Sequence, residues 1–277
     1  MIQLIKLELS KCMKRIEFKI AFIAVFCAIF LDYIILCKEY YGSELSKVMS
    51  ASTGTILTNV VATPLSPIVG ILLPLTVSII YSVSFLEEKN WGLSNFIHTR
   101  VHKEKYILAK AMSITLVSFF VIFIPLLVNE ILAIIAFPIQ GHNTFGLPDY
   151  KKLSYIDSGI MLHNLQVYYP YCNILIFIII RSLFASSFAL MAFGVSFFKK
   201  VNKYVVILSP FVINTLFMIF TDALSRIISD ENIARAVGTN ILGTNSYGSF
   251  IWLLFVLCGY FLFSVILIRR GMKNEIL

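Results

Sequence analysis

The sequence has 277 residues, of which 58% are hydrophobic and 14% charged, with a mean hydropathy of +0.86, whereas a soluble domain carries about 25% charge and about 45–50% apolar residues. The excess lies in long runs almost free of charge, which excludes a soluble globular fold. The formal net charge of +8 follows from membrane topology and anionic inner-leaflet lipid, so it gives no reason to invoke nucleic acid, and five scattered cysteines without a CxxC pair argue against a disulfide framework or a zinc site.

A bilayer core of about 30 Å takes roughly 20 apolar residues at about 1.5 Å rise each, and the chain supplies six such runs. Residues 1–15 come first. Ile2, Ile5, Leu9, Met13 and Ile16 recur at helical spacing, with Lys6, Lys11, Lys14 and Arg15 on the other side. That predicts a basic amphipathic helix lying in the headgroup region. The run over 16–37 is too long for a signal peptide and no small-residue cleavage site follows it, so it reads as a retained first span. Residues 38–66, rich in Ser and Thr, form an outer loop before the second span, 67–86, which contains Pro74. The third span, 111–137, contains Pro125, and prolines are tolerated in spans because neighbours re-satisfy the freed backbone groups. The outer loop 138–171 ends in Tyr168, Tyr169 and Tyr171, which fit an interfacial aromatic belt ahead of the fourth span, 172–198. The fifth span, 204–220, has Pro210 near its start. Leu224, Ile227, Ile228, Ile233 and Val237 then predict an amphipathic outer helix before the sixth span, 249–268. No loop is long enough to build a separate soluble core. The chain therefore reads as one all-α integral membrane domain over 1–277, without internal repeats.

Orientation follows from Lys and Arg in the short connections. The N-terminal segment, the second-to-third loop, the fourth-to-fifth loop and the C-terminus together carry 15 basic residues, against 6 in the other three loops. Both termini are therefore expected in the cytoplasm, with the chain in the plasma membrane.

Catalytic motifs do not assemble. A phosphate-binding loop needs GxxxxGK[ST], but Gly243–Gly248 is followed by Ser249 and Phe250, without the phosphate-contacting Lys. His98 and His102 enclose Thr99, Arg100 and Val101, so the Glu of a zincin is missing. Glu87 and Glu88 suggest the EExxxR motif of an intramembrane protease, yet Gly92 stands where Arg is required. All four His lie in loops, so no Ser/His/Asp or Cys/His set forms. The chain is expected to be no enzyme and to hold no metal or cofactor.

The informative stretch starts at Phe85. Glu87 and Glu88 open it, Trp91 and Gly92 follow, and Arg100, Lys103, Lys105 and Lys110 close it before the third span. A helix in that order complements its own macrodipole, and Trp91, Phe96, Ile97 and Val101 give it an apolar edge. This predicts either a docking helix for a soluble partner's groove or an ordinary cytoplasmic connection.

With its basic amphipathic N-terminal helix, six spans and amphipathic segment before the last span, the chain resembles the membrane subunit of ABC-2-type exporters. The acidic-then-glycine motif of Glu87, Glu88 and Gly92, with Arg100 and Lys110 downstream, carries the likeness further, although Thr99 stands where proline is usual. It is also similar to small permeases of lantibiotic-immunity and peptide-export systems. The resemblance implies two membrane subunits around a central path, identical or paired with a sister chain. It implies a separate dimer of cytoplasmic ABC ATPases, which bind the ATP and Mg. It also implies a coupling helix after the second span, carrying Glu87, Glu88, Trp91, Gly92 and Arg100. An ion-driven secondary transporter and a non-transporting sensor or scaffold are the alternatives.

Inside the membrane, Arg181 lies about nine residues from the outer end of the fourth span, roughly 13 Å deep, and Glu130 about seven residues from the outer end of the third, roughly 10 Å deep. Similar depth predicts an ion pair lining the outer half of the path, with Asn129 beside it. A lone Arg181 reaching outward is the alternative.

Overall fold

The computed structural model describes residues 1–44, 47–58, 65–92, 101–142, 159–198, 201–228, 243–244 and 248–274. Among them there is no strand, and six helices are long and apolar enough to cross a membrane. Two helices precede and enter the bundle, α1 (Ile2–Lys14) and α2 (Ile16–Glu39). The second crossing is split into α3 (Leu65–Tyr81) and a short α4 (Ser84–Asn90). The third is the long α5 (Lys103–Ala136). A one-and-a-half-turn α6 (His163–Tyr168) leads into α7 (Pro170–Val195). The last two crossings are α8 (Lys203–Ile228) and α9 (Phe250–Asn274).

The most buried crossing is α7, which packs against α3, α5, α8 and α9. Lipid gives apolar side chains no reason to prefer each other, so spans associate through close fit and small residues. Ala185, Ala189, Ala192 and Gly194 supply that fit on α7. A Cβ added at Gly194 would stand 2.8 Å from the Leu267 Cβ of α9. Hydroxyls finish the contacts. Ser186 Oγ donates to the Thr115 carbonyl of α5 at 3.0 Å, and Ser264 Oγ of α9 donates to the Ser187 carbonyl at 3.2 Å. The outer faces of α2, α8 and α9 keep Ile20, Ile23, Leu216, Phe220, Phe255 and Leu262 exposed, as side chains that meet acyl chains would be.

Two boundaries differ from the sequence reading. Residue 111 is where apolar composition begins, but α5 already starts at Lys103, because Lys and Glu are good helix formers and do not break a helix. Leu224 and Ile227 extend α8 instead of opening a separate outer helix, and 229–242 lie outside the described residues.

Part of the Ser- and Thr-rich loop after α2 is also not solvated. Residues 48–58 tuck into the end of the bundle away from the termini, with Met49, Ser50, Ala51, Thr55, Ile56 and Leu57 buried. Buried backbone groups need partners. The Ala51 N–H donates to the Pro138 carbonyl at 2.8 Å, the Ser50 N–H to His142 at 2.9 Å, and the Thr244 N–H to Leu57 at 2.9 Å. Hydroxyls satisfy one another, Ser50 with Ser52 at 3.2 Å and Thr55 with Thr58 at 3.1 Å.

Candidate coupling joint and intramembrane polar site

The second crossing breaks at Ser82 and Val83, and Ser82 Oγ donates to the Ala189 carbonyl of α7 at 3.0 Å. The break is thereby pinned to the centre of the bundle. Beyond it, α4 has Glu87 in its first turn and Lys89 in its last, the order that suits the helix dipole. It ends at Trp91, and Gly92 takes φ +70°, a left-handed conformation that glycine adopts without a Cβ penalty. The stretch 87–105 is therefore not one helix. Its first part belongs to α4, its last residues to α5, and Arg100 lies outside the described residues. Trp91 is 70% exposed at the tip of α4.

The two carboxylates of the motif are used within the chain. Arg15 Nη2 meets Glu87 Oε2 at 2.8 Å. Glu88 Oε2 accepts from Lys110 Nζ at 2.5 Å and from the Tyr106 hydroxyl at 2.6 Å. Lys110 is fully buried, with the rings of Tyr81, Tyr106 and Phe85 within 5.3, 5.4 and 5.9 Å of its ammonium. A third acid joins them. Glu8 of α1, fully buried, accepts the Tyr81 hydroxyl at 2.7 Å and Lys11 at 2.8 Å. Burial pulls the Arg15 guanidinium down, and the Glu87 carboxylate more than offsets this, leaving it above its ordinary value. Three acids and three bases thus tie α1, the α3–α4 break and the start of α5 into one joint.

Glu8, Tyr81 and Tyr106 help carry this joint without having been singled out in the sequence. The available signal was Glu8, the one acid in an otherwise basic first helix. The protein-facing stripe of α1 differs from the apolar stripe read in the sequence. Glu8 and Cys12 are buried and Ile5 offers its carbonyl to Ser113 at 3.3 Å, while Ile2 and Met13 are exposed. Burial pushes the Cys12 thiol up to about 12, against an opposing effect of Arg15. A thiol with that value is protonated at neutral pH, and the thiolate is the nucleophile. Cys12 should stay unlabelled by a membrane-permeant maleimide at pH 7 and react after denaturation, read by mass spectrometry. Rapid labelling of the folded chain would place α1 off the bundle.

In the half of α5 away from the termini, Asn129 and Glu130 lie on the buried face. Asn129 Oδ1 accepts the Ile56 N–H of the tucked segment at 3.1 Å. Neither carboxylate oxygen of Glu130 has a hydrogen-bond partner among the described residues, so Glu130 makes no ion pair with Arg181. Helix register gives the reason. The Ser186–Thr115 bond fixes antiparallel α7 against α5 and puts Arg181 opposite about residue 120, roughly 15 Å deeper than Glu130. Glu130 is instead level with Asp32. The rings of Tyr40 and Phe137 meet at 6.2 Å between the parallel α2 and α5, and Asp32 and Asn129 both lie about 12 Å below that contact. Asp32 is fully buried. A crevice of about 10 Å³ lies between the two helices, lined by Ile29, Pro125 and Asn129 among others.

Comparison with family models, curated proteins and solved structures returns no match.

Proposed function

We propose that the chain is the membrane-spanning permease subunit of an ATP-driven exporter in the plasma membrane, with both termini in the cytoplasm. In this reading it pairs with a second permease subunit, identical or sister, and two separate ABC ATPases dock on its cytoplasmic end and bind the ATP and Mg. The cargo is an amphipathic peptide or a lipid-like molecule, as in the peptide-export systems it resembles.

One observation supports this above others. The α3–α4 break is bonded to α7 through Ser82, and the acids beyond it are bonded to α1 and α5. A push on exposed Trp91 would therefore reach three spans and the N-terminal helix through short polar contacts. Switching elements work in this way, by biasing a packed assembly between two arrangements. Glu87 and Glu88 then serve as the lever's internal fastening, and Trp91 and Gly92 form its contact end.

An ion-driven transporter is the second reading, favoured by Asp32 and Glu130 buried at one level of the membrane. Purification from native membranes distinguishes the two. The tagged chain should bring a stoichiometric ATPase with it, and Trp91→Ala should weaken that co-purification about tenfold or more, as loss of an exposed aromatic anchor does. Uptake of labelled cargo along an ion gradient into vesicles holding this chain alone would overturn the permease reading in favour of the second.

A further inference from the structure

A groove of about 870 Å³ runs between α5 and α9 at the end of the bundle that carries the termini, with Leu190 of α7 among its lining residues. Its mouth and its walls differ in chemistry. Among the described residues, Lys103, Arg269, Arg270 and Lys273 ring the mouth with one acid, Glu104. Arg269, Arg270 and Lys273 are exposed. Deeper in, Leu108, Met112 and Val265 present apolar surface, each at least 40% exposed. From Leu108 to Thr115 the wall spans roughly 10 Å along the helix axis, most of the about 15 Å of hydrocarbon in one leaflet. The first backbone amides of α5, which begins at Lys103, also lie at the mouth, where a helix N-terminus favours negative charge.

We propose that this groove binds an anionic phospholipid of the leaflet that faces the termini. The phosphate lies among Arg269, Arg270, Lys273 and the first turn of α5, and an acyl chain lies along Leu108, Ala111 and Met112. The order of the surface along the membrane normal selects this occupant. An amphiphile with an anionic head and a hydrocarbon tail places charge on charge and chain on apolar wall at the same time. A soluble anion would leave the apolar wall uncovered, and a neutral lipid would place no net negative charge beside Arg269, Arg270 and Lys273. The proposal depends on the six crossings and not on what the protein transports. If it fails, the permease reading stands or falls on the co-purified ATPase alone.

The full chain, equilibrated with mixed phosphatidylglycerol–phosphatidylcholine vesicles and released in mild detergent, is weighed intact by native mass spectrometry. Phosphatidylglycerol should be retained in preference to phosphatidylcholine. The triple substitution Arg269→Gln, Arg270→Gln, Lys273→Gln should cut that retention about 100-fold, from the loss of three basic contacts. Ala111→Phe should also reduce retention by filling the apolar wall. Lys6→Gln with Lys14→Gln, on α1, which lends no residue to the groove, should not. Inorganic phosphate in the millimolar range should fail to displace the lipid. Equal retention of both lipids, an unaffected triple variant, equal losses from the α1 control, or displacement by inorganic phosphate would each overturn the site. The last of these would indicate a headgroup-only anion site.

Discussion

Lys110→Met should lower the melting temperature of the purified chain by about 10 °C, and adding Glu88→Gln should recover most of that loss. The expectation follows from where the two charges sit. The Lys110 side chain is fully buried and that of Glu88 is 12% exposed, so neither is well solvated. An ion pair in such a place gains little overall, because desolvation of both ions offsets their attraction. Removing one ion is different, since the other stays buried and uncompensated, at a cost of about 3–5 kcal/mol. At about 2–4 °C per kcal/mol for chains of this size, the shift is on the order of 10 °C. The double variant leaves no net charge at the joint, and an amide there still accepts from the Tyr106 hydroxyl. Thermal unfolding in detergent reads both effects. A single variant as stable as the parent would mean that Lys110 is solvated, and a double variant no better than the single would mean that Glu88 is not its partner. If the joint also transmits force, the double variant should fold normally yet stimulate a bound ATPase less, which separates the mechanical role from the structural one.

The crossings were legible because hydrocarbon thickness sets a length that composition records directly. Ile16 was a correct start for α2, and the prolines at 74, 125 and 210 fall inside helices as expected. The ends of spans were less legible. Composition marks where residues turn apolar, not where a helix starts, so Lys103–Lys110 read as a loop and its approach although they form the first two turns of α5. The tucked segment was missed for a related reason. Ser, Thr and Gly usually mark exposed turns, yet residues 48–58 contain no charged side chain at all, and short hydroxyls can satisfy each other when buried. Absence of charge over eleven residues was the usable signal. The coupling motif was found as a set of residue types, but its geometry was not. Whether Glu87 and Glu88 face a partner or the chain's own Arg15 and Lys110 depends on the break at Ser82, and nothing in a hydropathy pattern records a break of one or two residues.

These two mislocations bear on one mechanical picture. The joint at the end carrying the termini and the tucked segment at the opposite end both contact α5, the first through Lys110 and the second through Asn129. Pro125 lies between them, closer to Asn129, and leaves one backbone hydrogen bond of α5 unmade. A helix tied at both ends and weakened between them bends at the weak point. Movement of the joint would then tilt the part of α5 before Pro125 while the part beyond it stays with the 48–58 segment.

Exchanging the charges of Glu130 and Arg181 should give no rescue. Counting residues inward from the two span ends places the pair at similar depth, but the Ser186–Thr115 bond separates the two by roughly 15 Å along the membrane normal. Sites that far apart without a shared partner give additive effects within about 0.3–0.5 kcal/mol. Arg181→Glu puts a carboxylate at a position 1% exposed near mid-membrane, and Glu130→Arg puts a guanidinium into a site 8% exposed, so each should reduce folded yield sharply. The double exchange should be at least as poor as the worse single. Glu130→Leu separates a structural role from a functional one. It removes a buried carboxylate that has no hydrogen-bond partner among the described residues, so melting temperature should hold or rise. If Glu130 lines the transport path or works with Asp32 on a moving cation, transport should fall in the same variant. Folded yield of the three charge variants and melting of Glu130→Leu are sufficient measurements. A double exchange that regains the yield lost by both singles would show that α5 and α7 pack in a different register, bringing Glu130 and Arg181 into contact.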